Sequence, residues 1–177
     1  YARRLSAVAE RGGFTVKGHI AVDTGMSRIG FLYQDRDRES SSIDEIVQAC
    51  RLASLIPEGI FTHFSVADDG EEGSYYTARQ FRFFTNAISQ LEQRGVTFRV
   101  HHCANSAGVL DYPEYQLDMV RPGIALYGVG ADAKRLDLRP VMRLKSSIST
   151  IKTFDPDTDI SYGRTFRTRE RTRIGVL

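Results

Sequence analysis

The 177-residue sequence carries 24 lysines and arginines against 22 aspartates and glutamates. That near balance removes the electrostatic basis for a nucleic-acid partner. Its composition is that of an ordinary globular protein, and no apolar run approaches the roughly 20 residues of a membrane helix. Cys50 and Cys103 show neither metal-ligand nor disulfide spacing, which fits a reducing, cytoplasmic setting with no bound metal.

Taken in order, residues 1–12 read as an amphipathic helix with Leu5, Val8 and Ala9 as its stripe, stopped by Gly12-Gly13. Phe14 to Val22 is a strand with a long apolar run, the mark of a parallel sheet covered by helices. A helix is predicted over Ser42–Leu55, opened by a capping box of Ser42 and Glu45. A strand follows at Gly59–His63. The next helix spans Ser74–Arg94, with Phe81, Phe84, Ile88 and Leu91 on one face and Gly95 as its stop. A strand at Thr97–His102 comes next, then a shorter helical or irregular stretch, then a fourth strand at Leu117–Arg121. Strand, loop, helix and strand at roughly 40-residue intervals is the pattern of βαβ units.

Four such strands cannot close a (β/α)8 barrel, which needs eight strands and about 250 residues. Residues 130–138 are a polar connector. From Pro140 the pattern alternates (Met142, Leu144, Ser146, Ile148, Thr150, Lys152), which is antiparallel strand material. The arginines at 164, 167, 169, 171 and 173 are interleaved with Thr and Glu, as on a solvated strand face. The fold class is therefore α/β, half of a barrel over residues 1–130 followed by the start of an antiparallel β domain over 138–177. The sequence is expected to be an internal piece of a longer protein.

A barrel keeps its functional groups at the carboxyl ends of its strands. Arg28, His63, His102 to Ser106, and Arg121 to Ile124 all fall at or just beyond such ends. Singly, each has an ordinary explanation: a surface arginine, a polar strand end, a turn. Their convergence on one rim is what singles them out. A strand that stops in small or hydroxyl-bearing residues also presents backbone N–H groups to an anion.

Five segments in order, VDTGMSRIG (22–30), FTHFSVAD (61–68), HCANS (102–106), MVRPGIALYG (119–128) and ISYGRTF (160–166), resemble the alanine racemase family. The resemblance covers nearly the whole chain and implies an enzyme dependent on pyridoxal 5'-phosphate. In this reading the chain holds the last four strands of the family's barrel and the start of its C-terminal β domain. It implies interconversion of L- and D-alanine by two-base proton transfer at Cα, serving peptidoglycan synthesis. A serine/alanine racemase of the vancomycin-resistance type and a non-catalytic cofactor-binding homologue are the alternatives.

Carried over motif by motif, the resemblance assigns the cofactor phosphate to Ser106 and to the backbone of Gly123 and Ile124. Arg121 faces the pyridine nitrogen, His102 orients Arg121, and Asn105 supports the turn. An arginine there stays protonated and donates, leaving the ring nitrogen unprotonated. Arg28 stands by the cofactor's phenolic oxygen and the substrate carboxylate, which suits a guanidinium fork. Tyr162 is one of two catalytic bases and serves the neighbouring subunit of a homodimer; His63 contacts it. A tyrosine acts as a base at neutral pH only beside positive charge or hydrogen-bond donors.

Two departures stand out. The cofactor-bearing lysine belongs to a barrel strand outside this sequence, so the fragment is expected to be inactive; Lys17, Lys134, Lys145 and Lys152 lie in other contexts. Ala21 takes a position where many members carry a carbamylated lysine that holds the loop arginine. A chloride or a nearby carboxylate is expected to restrain Arg28 instead. The resemblance gives a small amino acid as substrate, with no nucleic acid or membrane contact within this sequence. It leaves open a membrane domain upstream.

Overall fold

The computed structural model describes residues 1–34, 39–129 and 136–177. The connector expected over 130–138 lies mostly outside them. The chain divides into two compact units, Tyr1–Arg139 and Pro140–Leu177.

The first unit is built on a parallel sheet of order β2-β1-β3-β4, from β1 (Val16–Asp23), β2 (Phe31–Leu32), β3 (Leu55–Phe61) and β4 (Val100–His102). Helix α1 (Ala2–Arg11) precedes β1, α2 (Glu39–Cys50) leads into β3, and α3 (Gly70–Gln93) crosses from β3 to β4. Each strand splits its side chains between two faces. Val22 and Ile60 point into a core with Ile43, Ile46 and Val47 of α2 and Phe84, Ala87 and Leu91 of α3. Their spacing on α3 is the one-sided stripe that a helix lays on a sheet. The opposite face carries His19, Ala21, Phe61 and His102.

Several expected boundaries move, each for a local reason. Strand β3 begins at Leu55, which the sequence assigned to α2, and it runs through Pro57. Proline lacks the N–H a central strand needs. The register shifts there, with Gly18 opposite Pro57 and His19 opposite Gly59, so Glu58 bulges out. Helix α2 already starts at Glu39, so Ser42 lies inside it rather than capping it. On α1, Ser6 and Ala9 are buried while Val8 is exposed, because Ser6 Oγ accepts the Ser54 N–H.

The expected fourth strand at Leu117–Arg121 does not form. Leu117 sits at φ 51°, outside the extended region. Asp118 N–H to His101 O at 3.1 Å and Arg121 N–H to Ala104 O at 2.9 Å tie the stretch beside β4, and Asp118 Oδ2 accepts the His101 N–H at 2.8 Å. The fourth member of the sheet is instead the two-residue β2, paired through Val22–Phe31 and Asp23–Leu32.

In the second unit β5 (Thr150–Phe154) pairs antiparallel with β8 (Thr172–Val176), and β6 (Asp159–Ile160) with β7 (Phe166–Arg167). The alternating stretch before Thr150 is coil, and Met142, Leu144 and Ile148 are exposed. The arginine cluster is an exposed ion-pair surface: Arg164 pairs with Asp159, Arg167 with Asp157 and Asp159, and Arg171 with Asp155. Such exposed pairs contribute little to stability. Fully buried Thr168 joins the loops instead, its Oγ donating to Asp155 O at 2.6 Å and accepting Thr158 N–H at 2.9 Å.

Among the described residues, no helix is long and apolar enough to cross a membrane. In the full-length protein, Phe84→Ala is expected to cost about 3–5 kcal/mol of stability in urea unfolding, because Phe84 is fully buried and its loss leaves a cavity. Tyr75→Ala on the exposed side of the same helix should stay within about 0.5 kcal/mol.

Candidate active site

The site grows from the sheet face opposite the helical core. Ala21, Phe61 and His102 stand in register on three adjacent strands. The Phe61 ring stacks on His102 at 5.0 Å between centroids and lies 5.1 Å from the Arg121 guanidinium carbon. Arg121 is held from several sides. Its Nη1 donates to His102 Nδ1, and its Nη2 donates to Thr62 O at 2.8 Å, with His63 Nδ1 and Cys103 O each at 3.4 Å. These bonds use only the two terminal nitrogens, so Nε–H has no acceptor among the described residues.

The charges follow from this packing. His102, only 3% exposed, is pushed down to about 4 by burial and then by Arg121. His63 is lowered by burial, then by Arg121 and Arg28. The Cys103 thiol is pushed up to about 12 by burial and donates to Tyr115 O at 3.0 Å. Both histidines are thus neutral near pH 7, and no carboxylate pairs with Arg28 or Arg121 among the described residues. Unmatched positive charge at a strand-end rim suits an anion.

The turn after β4 builds a second part. Asn105 caps the short helix α4 (Ser106–Asp111): its Oδ1 accepts Gly108 N–H at 2.9 Å and its Nδ2 donates to Phe64 O at 3.3 Å. Ser106 Oγ accepts Ala125 N–H at 3.1 Å, which draws the Gly123–Ala125 backbone onto α4. A Cβ added at Gly123 would meet nothing within 4 Å, and its φ is −65°. Neither backbone strain nor a protein neighbour accounts for glycine there. The N–H groups of Gly123 and Ile124 have no acceptor among the described residues.

The loop after β1 presents Arg28. Asp23 Oδ1 gathers Gly25 N–H at 3.0 Å, Ser27 N–H at 2.9 Å and Gln34 Nε2 at 3.2 Å, and Tyr76 Oη donates to Gly25 O at 3.1 Å. Arg28 itself is exposed. Among the described residues no carboxylate pairs with Arg28; Asp23 turns its Oδ1 to its own loop. Tyr162 belongs to the second unit. It is 99% exposed on a 3₁₀ turn held open by positive φ at Ser161, Gly163 and Arg164.

Sequence reasoning passed over three supporting residues. Gln80, fully buried on α3, donates to His63 O at 3.0 Å and accepts Ser65 N–H at 3.0 Å, fixing the loop that carries His63. A glutamine on the apolar stripe of a helix was the available signal, because a buried amide needs partners. Thr62 meets Thr24, hydroxyl to hydroxyl, at 2.6 Å. His19 Nδ1 lies 2.7 Å from His102 Nε2.

The low His102 value fixes a pH dependence. Unfolded, a histidine takes its proton near 6.5; folded, His102 does so only near 4. Between those limits the unfolded chain binds the extra proton, so stability rises with pH. The contribution is complete above 6.5 and is lost as pH falls toward 4. Histidine NMR titration should show His102 neutral at pH 5.5, and His102→Gln should flatten the acid limb of the stability curve.

Comparison with known proteins agrees with this geometry. Residues 1–131 match the model for the alanine racemase N-terminal domain, and residues 141–177 match that for the C-terminal domain. The alanine racemase of Clostridium tetani is 43% identical over 99% of this chain and 45% of its own length. That of Desulforamulus reducens is 41% identical over 99% of this chain and 47% of its own. The solved alanine racemase of Clostridium difficile 630 is 36% identical, with a TM-score of 0.69, over 98% of this chain and 45% of that one. The chain spans about half the length of the relatives it matches. With both domain models matched in order along a half-barrel sheet and a β unit, the chain belongs to the alanine racemase family.

Proposed function

We propose that the protein this chain belongs to is an alanine racemase that moves a proton to and from Cα with pyridoxal 5'-phosphate. The family is dependent on that cofactor. The observation that carries the reading is the anchored Arg121: its terminal nitrogens donate to His102, Thr62 and Cys103, and among the described residues its Nε–H has no acceptor and is available to a ligand.

The residues present fit the cofactor. The open space at Gly123, the N–H groups of Gly123 and Ile124 that have no acceptor among the described residues, and the Ser106 hydroxyl offer the polarity a phosphate needs. Bound there, the cofactor supplies an electron sink for charge at the substrate Cα. Arg121 keeps the ring nitrogen unprotonated, because a guanidinium donates and does not give up its proton. A weaker sink favours prompt return of the proton over decarboxylation or transamination. His102 orients Arg121, and Asn105 holds the turn that carries Ser106.

Among the described residues Arg28 has no carboxylate partner, as suits a residue that meets the substrate carboxylate. Ala21 cannot hold it, and a bound chloride is the counter-ion we assign to that place; an ordered Arg28 beside Ala21 with no anomalous chloride signal would overturn this. Tyr162 is the base from the partner in a homodimer, and His63 stands where that tyrosine arrives. The exposure of Tyr162 supports this, since nothing within its own unit stabilises it. In the cell the product would be D-alanine for peptidoglycan.

The test uses the full-length protein. Pyridoxal phosphate is expected to give a visible absorbance that borohydride fixes to the chain, with conversion of L-alanine to D-alanine. L-serine conversion at a similar rate would mark the serine/alanine type. Cofactor without racemisation would move the protein to the non-catalytic binders. Tyr162→Phe should lower kcat about 10³-fold with cofactor retained, the scale of losing a positioned general base. Gly123→Ala should leave stability within about 0.5 kcal/mol, while cofactor affinity falls because the new methyl enters the phosphate space.

A further inference from the structure

We propose that His19 is a positioning residue that reaches across β3 to hold His102 in the one tautomer able to anchor Arg121. The consequence at the cofactor rests on the racemase reading above; the bond itself does not.

The argument begins with donors and acceptors. A guanidinium has N–H groups only and accepts nothing. The short contact between Arg121 Nη1 and His102 Nδ1 therefore requires Nδ1 to be bare. A neutral imidazole with a bare Nδ1 carries its proton on Nε2, and burial and Arg121 keep His102 neutral. The His102 Nε2–H then needs an acceptor, because a buried, unpaired donor is costly. His19 Nδ1, at 2.7 Å, is that acceptor. The chain of donation runs Arg121 to His102 to His19, and each bond dictates the direction of the next.

The geometry is not an accident of neighbouring strands. His19 lies on β1 and His102 on β4, with β3 between them. The His19 ring crosses β3 above Gly59, its register partner. A Cβ at Gly59 would stand 2.8 Å from His19 Nδ1, so the residue without a side chain opens the passage. The two rings meet at 4.9 Å between centroids with a 59° tilt, which suits an edge-on N–H to N bond rather than stacking. Phe61 closes the other side of His102. His102 can keep its ring plane without His19, but the proton on its Nε2 then has nowhere to go.

The experiment compares His19→Leu, which keeps bulk without an acceptor, with His19→Asn, whose Oδ1 falls near the place of the imidazole Nδ1. Both are made in the full-length protein, with folding checked by thermal unfolding. The first readout is the ¹⁵N-histidine spectrum of the cofactor-free protein. Wild type is expected to show a bare His102 Nδ1 and a slowly exchanging, downfield Nε2–H. His19→Leu should lose that slow resonance, and His19→Asn should restore it. In the cofactor-loaded protein, His19→Leu should shift the visible absorbance and lower kcat about tenfold with KM little changed. His19→Asn should recover both.

A His19→Leu spectrum that keeps the wild-type Nε2–H resonance overturns the proposal, as does an Asn variant as defective as Leu. If the Leu variant fails to fold, His19→Ala is read the same way. Failure of wild type to take up cofactor, with the resonance behaving as described, would strike the racemase reading and leave the bond standing.

Discussion

The site depends on one bond, from the Arg121 guanidinium to His102 Nδ1. Arg121 sits on a stretch that is neither strand nor helix, fastened to the edge of the sheet by two backbone–backbone bonds and by Asp118 Oδ2 on the His101 N–H among the described residues. Its side chain supplies the missing order. By reaching His102 at the end of β4, Thr62 O beyond the end of β3, and Cys103 O in the next turn, one residue ties three separate chain segments together. Removal would leave His102 Nδ1 and the Thr62 carbonyl without their charged donor, and charge-assisted bonds of this kind are about twice as strong as neutral ones. Position and function thus come from the same contact: the bonds that hold the guanidinium leave its Nε–H without an acceptor among the described residues.

The packing behind that bond is layered. Helix α3 fills the core with Phe84, Ala87 and Leu91, and on the same stripe it spends Gln80 on the His63 loop. The helix that stabilises the sheet therefore also places a residue of the rim. Tyr76, one turn before Gln80, does the same for the Arg28 loop through Gly25 O. A single rigid helix sets the heights of two loops against each other, which suits a site that must hold its groups within a fraction of an ångström.

Much of this was legible in the sequence, and the parts that were not share a cause. The helices and the first and third strands follow from hydrophobic period and glycine stops, with ends displaced by a few residues. The second strand begins earlier than Pro57 suggests, because a bulge absorbs the missing donor. The fourth strand was misread, because apolar residues at 117–121 carry a strand-like pattern while the left-handed Leu117 breaks it; a local φ is invisible to periodicity. The residues at strand ends, Arg28, His63, His102, Ser106 and Arg121, were readable because a barrel gathers its chemistry there. Gln80 and His19 were not, since each matters through a partner far away in the chain: Gln80 sits on an apolar stripe, and His19 lies in mid-strand with its partner 83 positions on.

The electrostatics carry the synthesis one step further. Arg121 and Arg28 have no carboxylate against them among the described residues, and together they hold His63 below its ordinary value after burial has begun the shift. Burial and Arg121 do the same to His102. A histidine so held is a good acceptor of hydrogen bonds and a poor receiver of protons. The two histidines of the rim are therefore suited to orient other groups and ill suited to take a proton from carbon. In a racemase, both proton-transfer groups must then come from outside this set. The reading proposed above, in which a lysine outside these residues and Tyr162 of a second copy are the bases, meets that requirement.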